Sequence, residues 1–280
     1  MTALLSIVNK ILIFAKSPIK GKVKTRLKKD TPLSDDDILK LYTAFLKDTI
    51  VSASLSKAKK IYIAYYPEDS KNIMLSVKSA IRIPQSTIEL FPQLGNDFDK
   101  RLTNALGHIF PHPPLSPKGR GKRGGDNIVI LGSDSPHIQP STINRAFSFL
   151  STPHSKLQTL NSKGAMVLGP SGEGGVYLIG VKGSRGVNFK GIFTSGNESD
   201  NLLKIARRRK MPLLILEELT DVDVKSDLIT LISNLSIMEY SSHHTKIHLP
   251  RYTLSAIKKL GLAVDRKGDG TRGKFLSLKK

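Results

Sequence analysis

The sequence predicts an α/β protein in three layers, with helices covering both faces of an open, mainly parallel sheet. Three observations predict it. Short apolar runs such as residues 10–14 (KILIF) and 128–131 (IVIL) have the nearly continuous hydrophobicity that strands buried on both faces require. Residues 38–56 carry Leu39, Tyr42, Phe45, Leu46 and Ile50 at helical spacing, the signature of an amphipathic helix. Strand-like and helix-like segments alternate along most of the chain, as crossover connections between parallel strands demand.

Each element follows from its residues. After the first strand and helix, residues 60–66 (KIYIAYY) read as a second strand. Residues 97–110 read as a helix opened by Asn96 or Asp97, side chains that satisfy the free N–H groups of a first turn. Residues 111–126 (PHPPLSPKGRGKRGGD) offer prolines, glycines and charge but nothing to bury, and are expected to form a mobile basic insertion. Residues 128–131 resume as a strand, 140–150 as a helix, 165–168 and 176–181 as strands, 199–208 as a helix and 211–216 as a late strand. A further helix begins near Lys225. Beyond Tyr240 the periodicity weakens, so the main domain is expected over 1–235, with 236–280 adding a short helical element and a basic tail.

Composition narrows the function classes. The 280 residues contain no cysteine, which excludes disulfides and thiolate metal sites. No window approaches the roughly 20 apolar residues of a membrane span, and residues 1–10 lead straight into the first strand, so a cytoplasmic protein is expected. The net charge of +21 favours anionic partners. Its clusters, at 118–123 (KGRGKR) and 206–210 (ARRRK), are not interleaved with aromatics, and no zinc-finger or helix-turn-helix pattern occurs. A solvated basic surface is favoured over a nucleic-acid site.

Three local patterns carry chemistry. In residues 131–136 (LGSDSP) a strand delivers Asp134 into a turn closed by Pro136, where an acid can hold a divalent cation against a ligand's phosphates. Residues 15–26 (AKSPIKGKVKTR) follow the first strand and gather Lys16, Lys22, Lys24 and Arg26, with Pro18 and Gly21 permitting a reversal. Cations and backbone N–H groups together suit phosphate, although the spacing is neither a P-loop nor a GxGxxG fingerprint. Residues 172–177 (GEGGVY) form a glycine turn in which Gly174 and Gly175 allow close approach. Asp221 and Asp223 precede the helix near Lys225 and read on their own as turn formers.

Residues 14–27 (FAKSPIKGKVKTRL), 93–102 (QLGNDFDKRL), 131–138 (LGSDSPHI) and 168–181 (LGPSGEGGVYLIGV), in this order, resemble a prokaryotic glycosyltransferase-like family related to a teichoic-acid biosynthesis enzyme. The resemblance covers roughly residues 10–235 and implies the nucleotide-diphospho-sugar transferase (GT-A-like) fold shared with nucleotidyltransferases. It implies that Lys16, Lys24 and Arg26 contact nucleotide phosphates, that Asp97 and Arg101 lie near the base or ribose, and that Asp134 is the metal-associated acid. Glu173, Asp221 or Asp223 would assist Asp134 in holding Mg²⁺ or Mn²⁺, and Gly174, Gly175 and Tyr177 would lie toward the acceptor. The fourth motif departs from the family's Asp-Gly-Gly-Tyr. Here Glu173 sets the carboxylate one methylene further out, and Val176 displaces the aromatic to Tyr177.

The expected activity is metal-dependent transfer from a nucleotide-activated donor. Attack on a sugar carbon of a nucleotide sugar makes a glycosyltransferase. Attack by a phosphorylated small molecule on the α-phosphate of a nucleoside triphosphate makes a nucleotidyltransferase, and both place the same anion in the same cleft. A catalytically inactive nucleotide- or nucleic-acid-binding protein is a third reading, raised by the altered fourth motif and the excess charge.

Overall fold

Seven strands, β1 (Asn9–Lys16), β2 (Lys60–Tyr66), β3 (Ile88–Pro92), β4 (Asn127–Leu131), β5 (Met166–Pro170), β6 (Val176–Lys182) and β7 (Leu213–Ile215), form one sheet in the order β3-β2-β1-β4-β6-β5-β7. The structure is a computed structural model and describes residues 7–83, 88–110, 126–152, 164–182, 189–266 and 273–278. Every neighbouring pair is parallel except those of β6, which runs antiparallel to β4 and β5. The two apolar runs noted in the sequence are paired neighbours, Ile11 standing between Ile61 of β2 and Val129 of β4.

Alternation along these strands builds two cores, one on each face. Ile11, Ile13, Ile61, Ile63, Val129 and Leu131 pack under α2 (Asp35–Ser54), α3 (Lys71–Ser79) and α5 (Pro140–Ser151). Leu12, Phe14, Tyr62, Ala64, Ile128 and Ile130 pack under α4 (Phe98–Ile109) and α6 (Glu198–Arg208). The predicted three-layer, mainly parallel α/β fold is therefore observed. The helix starts follow local chemistry: Ser34 and Asp37 close a capping box on α2, and Asp97 and Asn197 cap α4 and α6.

A third core joins the two ends of the chain. Leu27, on the short helix α1 (Thr25–Lys29), packs with Phe45 of α2, Val222, and Leu231 and Leu235 of α7 (Lys225–Ser241). The same core takes in Ile257 of α8 (Arg251–Lys259), Leu262 of β8 (Leu262–Arg266) and Leu276 of β9 (Lys274–Leu278). The stretch expected as a basic tail thus contains an antiparallel hairpin. Asp48 of α2, 1% exposed, accepts the backbone N–H groups of Tyr252 at 3.1 Å and Thr253 at 2.6 Å, which opens α8 against α2. The sequence reading also passed over α3 and β3. Residues 111–125 of the expected insertion lie outside the described residues, while Asp126 pairs with Lys10 at 2.9 Å. Among the described residues no helix is long and apolar enough to cross a membrane.

Candidate functional site

The carboxyl edge of the sheet collects four chain segments. β1 ends there at Lys16, and β4 runs out into Gly132, Ser133 and Asp134. Because β6 is antiparallel, its first residues share that edge: Leu131 pairs with Leu178, and the Gly132 N–H donates to the Tyr177 carbonyl at 3.1 Å. The chain leaving β7 returns along the same edge through Leu216 N–H to the Leu168 carbonyl (2.9 Å), Leu219 to Pro170 (3.2 Å) and Val222 to Asp134 (3.1 Å). Val222 is fully buried, whereas Asp221 and Asp223 on either side of it are only partly so.

They turn toward Lys24. Its Nζ lies 2.7 Å from Asp223 Oδ1, 3.0 Å from Asp134 Oδ2 and 3.9 Å from Asp221 Oδ1, and its side chain is 5% exposed. Its backbone is left-handed (φ 47°, ψ 41°), which costs about 1 kcal/mol for a residue with a Cβ. Arg26 Nη1, 3.6 Å from Asp223 Oδ2, extends the charge pair into solvent. A hydroxyl chain supports the other side. The buried Tyr42 hydroxyl donates to the Lys16 carbonyl at 2.7 Å and lies 3.1 Å from Ser133 Oγ, which donates to Asp134 Oδ1 at 3.3 Å. Ser135 Oγ donates to the Thr220 carbonyl at 3.0 Å and ties the Asp134 turn to the returning segment.

This crowding sets the protonation of the group. Burial disfavours the Lys24 ammonium, but Asp134, Asp221 and Asp223 outweigh it and raise its pKa above that of an ordinary lysine. Burial, reinforced by Asp134, pushes the Asp221 carboxyl up to about 7. Asp223 moves the other way, because Lys24 and Arg26 overcome its partial burial. Asp221 Oδ1 is itself buried with no hydrogen-bond partner, although the side chain as a whole is 42% exposed.

The remaining expected residues are distributed unevenly. Lys16 and Lys22 are exposed on the β1 end and its loop. Asp97 caps α4, its Oδ1 accepting from the Lys100 N–H at 2.7 Å. Arg101 stacks over the ring of Tyr66, the last residue of β2, at 4.4 Å, which sets it on the same edge. Glu173 is exposed at the tip of the β5–β6 turn with φ 57°, and no described hydrogen bond or ion pair joins it to Lys24 or Asp134.

The turn's glycines differ in the room beside them: a Cβ on Gly175 would fall 2.7 Å from Ser171 Oγ and one on Gly174 3.3 Å from Asn197 Oδ1, whereas one on Gly172 would meet nothing within 4 Å. Tyr177, expected toward the acceptor, is 4% exposed, with its hydroxyl donating to the Glu217 carbonyl at 3.0 Å. A Cβ on Gly169 would fall 2.4 Å from its ring. Val176 and Tyr177 are successive residues of β6 and so point to opposite faces of the sheet, with Tyr177 buried.

The sequence reading missed Tyr42, Ser133 and Asp99. Asp99, in the second motif, accepts from the N–H groups of Gly191 (2.8 Å) and Phe193 (3.0 Å) and from Thr194 Oγ1 (2.7 Å), fastening residues 191–194 to α4. Its position one residue inside a capped helix gave no sign of these distant partners.

The donor chemistry suits a hard divalent cation: Asp134, Asp221 and Asp223 supply carboxylate oxygens of the kind Mg²⁺ and Mn²⁺ prefer, and the orphaned Asp221 Oδ1 is an atom such an ion would satisfy. Among the described residues no three acidic or histidine side chains close up as a ligand set. The Lys24 ammonium stands between the three carboxylates instead.

Residues 49–196, slightly more than half of the chain, match the family described as uncharacterized protein conserved in bacteria (DUF2064). The chain belongs to this family. The matched span contains Asp134 and Glu173, whereas Lys24, Asp221 and Asp223 lie outside it. No curated protein matches the chain. Among solved structures, a Desulfovibrio desulfuricans G20 protein provisionally assigned as a nucleotide-diphospho-sugar transferase is 23% identical, over 91% of this chain and 95% of its own, with a TM-score of 0.68. That likeness shows a nucleotide-diphospho-sugar transferase-like fold. A cytidylyltransferase from Leptospira borgpetersenii serovar Hardjo-bovis (12% identity, 91% and 95% coverage, TM-score 0.48) is more distant. So is a manganese complex of a Mycobacterium tuberculosis H37Rv protein (16% identity, 81% and 99% coverage, TM-score 0.40).

Proposed function

We propose that this chain is a divalent-metal-dependent transferase that takes a nucleotide sugar as donor. The observation that carries the reading is the convergence of Asp134, Asp221 and Asp223 on Lys24 at the carboxyl edge of the sheet, where open α/β sheets bind their ligands. Asp134, with Asp221, Asp223 or Glu173, would hold Mg²⁺ or Mn²⁺, which when bound supplies neutralisation of the leaving diphosphate. Lys16, Lys22 and Arg26 are exposed beside this point and would bind the diphosphate oxygens directly. Arg101 and Asp97 would stand toward the base or ribose, and the turn at Gly174 and Gly175 toward the acceptor. In the reaction an acceptor oxygen forms a bond to the sugar carbon, and the carbon–oxygen bond to the diphosphate breaks, its electron pair staying on phosphate. The acceptor's proton would pass to Glu173, whose carboxylate is exposed at the tip of the turn.

Nucleotidyl transfer is the second reading, favoured by the number of cations between Lys16 and Arg26, which suits the larger charge of a triphosphate. Incubation with a panel of nucleotide sugars and nucleoside triphosphates in Mg²⁺ or Mn²⁺ separates the two. Released nucleoside diphosphate supports glycosyl transfer and released pyrophosphate supports nucleotidyl transfer. Turnover of neither overturns the enzymatic reading in favour of a binding protein.

A further inference from the structure

We infer that Lys24 is a displaceable internal cation, which keeps a divalent metal out of the site until a ligand's phosphates draw its ammonium away, so that metal and nucleotide bind as one coupled event. The inference rests on the metal-dependent reading above and adds an order of assembly to it. Lys24 Nζ lies within 3.9 Å of all three carboxylates, and with its side chain 5% exposed the ammonium occupies the point on which they converge. A divalent ion set beside that ammonium would meet direct repulsion, so the two are alternatives. Removal of the ammonium alone would leave three carboxylates facing one another, a state that itself demands a cation.

Lys24 satisfies this group only in part. It makes close contact with Asp223 and Asp134 but stays 3.9 Å from Asp221 Oδ1, which is buried and accepts no hydrogen bond. A metal ion with six or more coordination positions would engage the oxygen that the ammonium leaves unserved. Lys24 also has somewhere to go. The exposed Lys16, Lys22 and Arg26 mark a neighbouring place for phosphate, and the flexible four-carbon stem of a lysine can swing its charge from carboxylate to phosphate without moving the backbone.

The test is Mn²⁺ binding, followed by enhancement of water-proton relaxation, with inorganic pyrophosphate as the phosphate probe and protein-free mixtures as blanks. Wild-type protein should bind Mn²⁺ about tenfold or more tightly with pyrophosphate than without, on the scale of ordinary coupling between two ligands. Lys24→Met should bind Mn²⁺ alone about tenfold more tightly than wild type alone, and Asp221→Asn in that background should reverse the gain. Should Lys24→Met fail to fold, the wild-type comparison decides: equal Mn²⁺ affinity with and without pyrophosphate overturns the inference. Wild type and Lys24→Met binding Mn²⁺ alone equally tightly overturns it too, and leaves the metal site standing. Absence of Mn²⁺ binding in every protein and condition removes the metal-dependent reading, and the coupling with it.

Discussion

The backbone N–H of Val222 donates to the carbonyl of Asp134 at 3.1 Å, and through this bond two distant stretches of chain share one site. Val222 is buried in the core formed by α1, α2 and α7. Asp221 and Asp223 on either side of it face Lys24 beside Asp134. The arrangement concentrates negative charge around a buried cation at the sheet edge that the basic loop also borders.

That concentration makes stability depend on pH in the metal-free protein. Asp221 is pushed up to about 7 by burial and by Asp134, and Asp48 to about 6 by burial, from an ordinary 3.8. A carboxyl whose folded pKa is raised holds a proton that the unfolded chain releases, so its contribution is complete below about pH 4 and is lost as pH rises through the folded value. Melting temperature should therefore fall between about pH 4 and 7 from these two groups, and Asp221→Asn should flatten the upper part of the fall. An undiminished decline in Asp221→Asn would show that another group is responsible.

Asp48 should hold the C-terminal elements in place. Asp48→Ala leaves the N–H groups of Tyr252 and Thr253 without their acceptor, at a cost of about 2 kcal/mol. Hydrogen exchange should rise in α8 and in the β8–β9 hairpin and stay slow in β1. Uniform exchange across the chain, or no change at all, would contradict a local tether.

Much of the fold was legible because parallel strands buried on both faces leave continuous apolar runs, as at Ile11 to Ala15 and Ile128 to Leu131. The edge strand β3 was not, since only Ile88 and Phe91 of its residues are buried. The helix α3 buries only Met74 and Val77. The hairpin after α8 gains its meaning from partners in α7 and α2 that no local pattern records. At the candidate site, the position of Asp134 in the turn after a strand was legible. Lys24 could not be told from Lys16, Lys22 or Arg26, because its burial depends on three carboxylates brought in by the fold. Asp221 and Asp223 read locally as turn formers, because the bond from the Val222 N–H to the Asp134 carbonyl joins residues far apart in the chain.

Tyr177 should behave as a packing residue. Gly169→Ala forces a Cβ to 2.4 Å from the Tyr177 ring and should destabilise the protein by about 1–3 kcal/mol. Tyr177→Phe, which loses only the hydroxyl bond to the Glu217 carbonyl, should cost about 1 kcal/mol and leave transfer activity intact. A large loss of activity in a stable Tyr177→Phe protein would return this hydroxyl to the acceptor side.

The proposed function turns on Asp134 taking part in metal-dependent nucleotide binding. Calorimetric titration of wild type and Asp134→Asn with a panel of nucleoside diphosphates and triphosphates, in Mn²⁺ and in chelator, tests it most directly. Asn keeps the size of the side chain and an oxygen for Ser133, so melting should show a folded protein. Wild type should bind nucleotide in a metal-dependent way, and Asp134→Asn should lose about tenfold or more of that affinity, in the metal-containing arm alone. Equal nucleotide affinity and equal metal dependence in both proteins would contradict it.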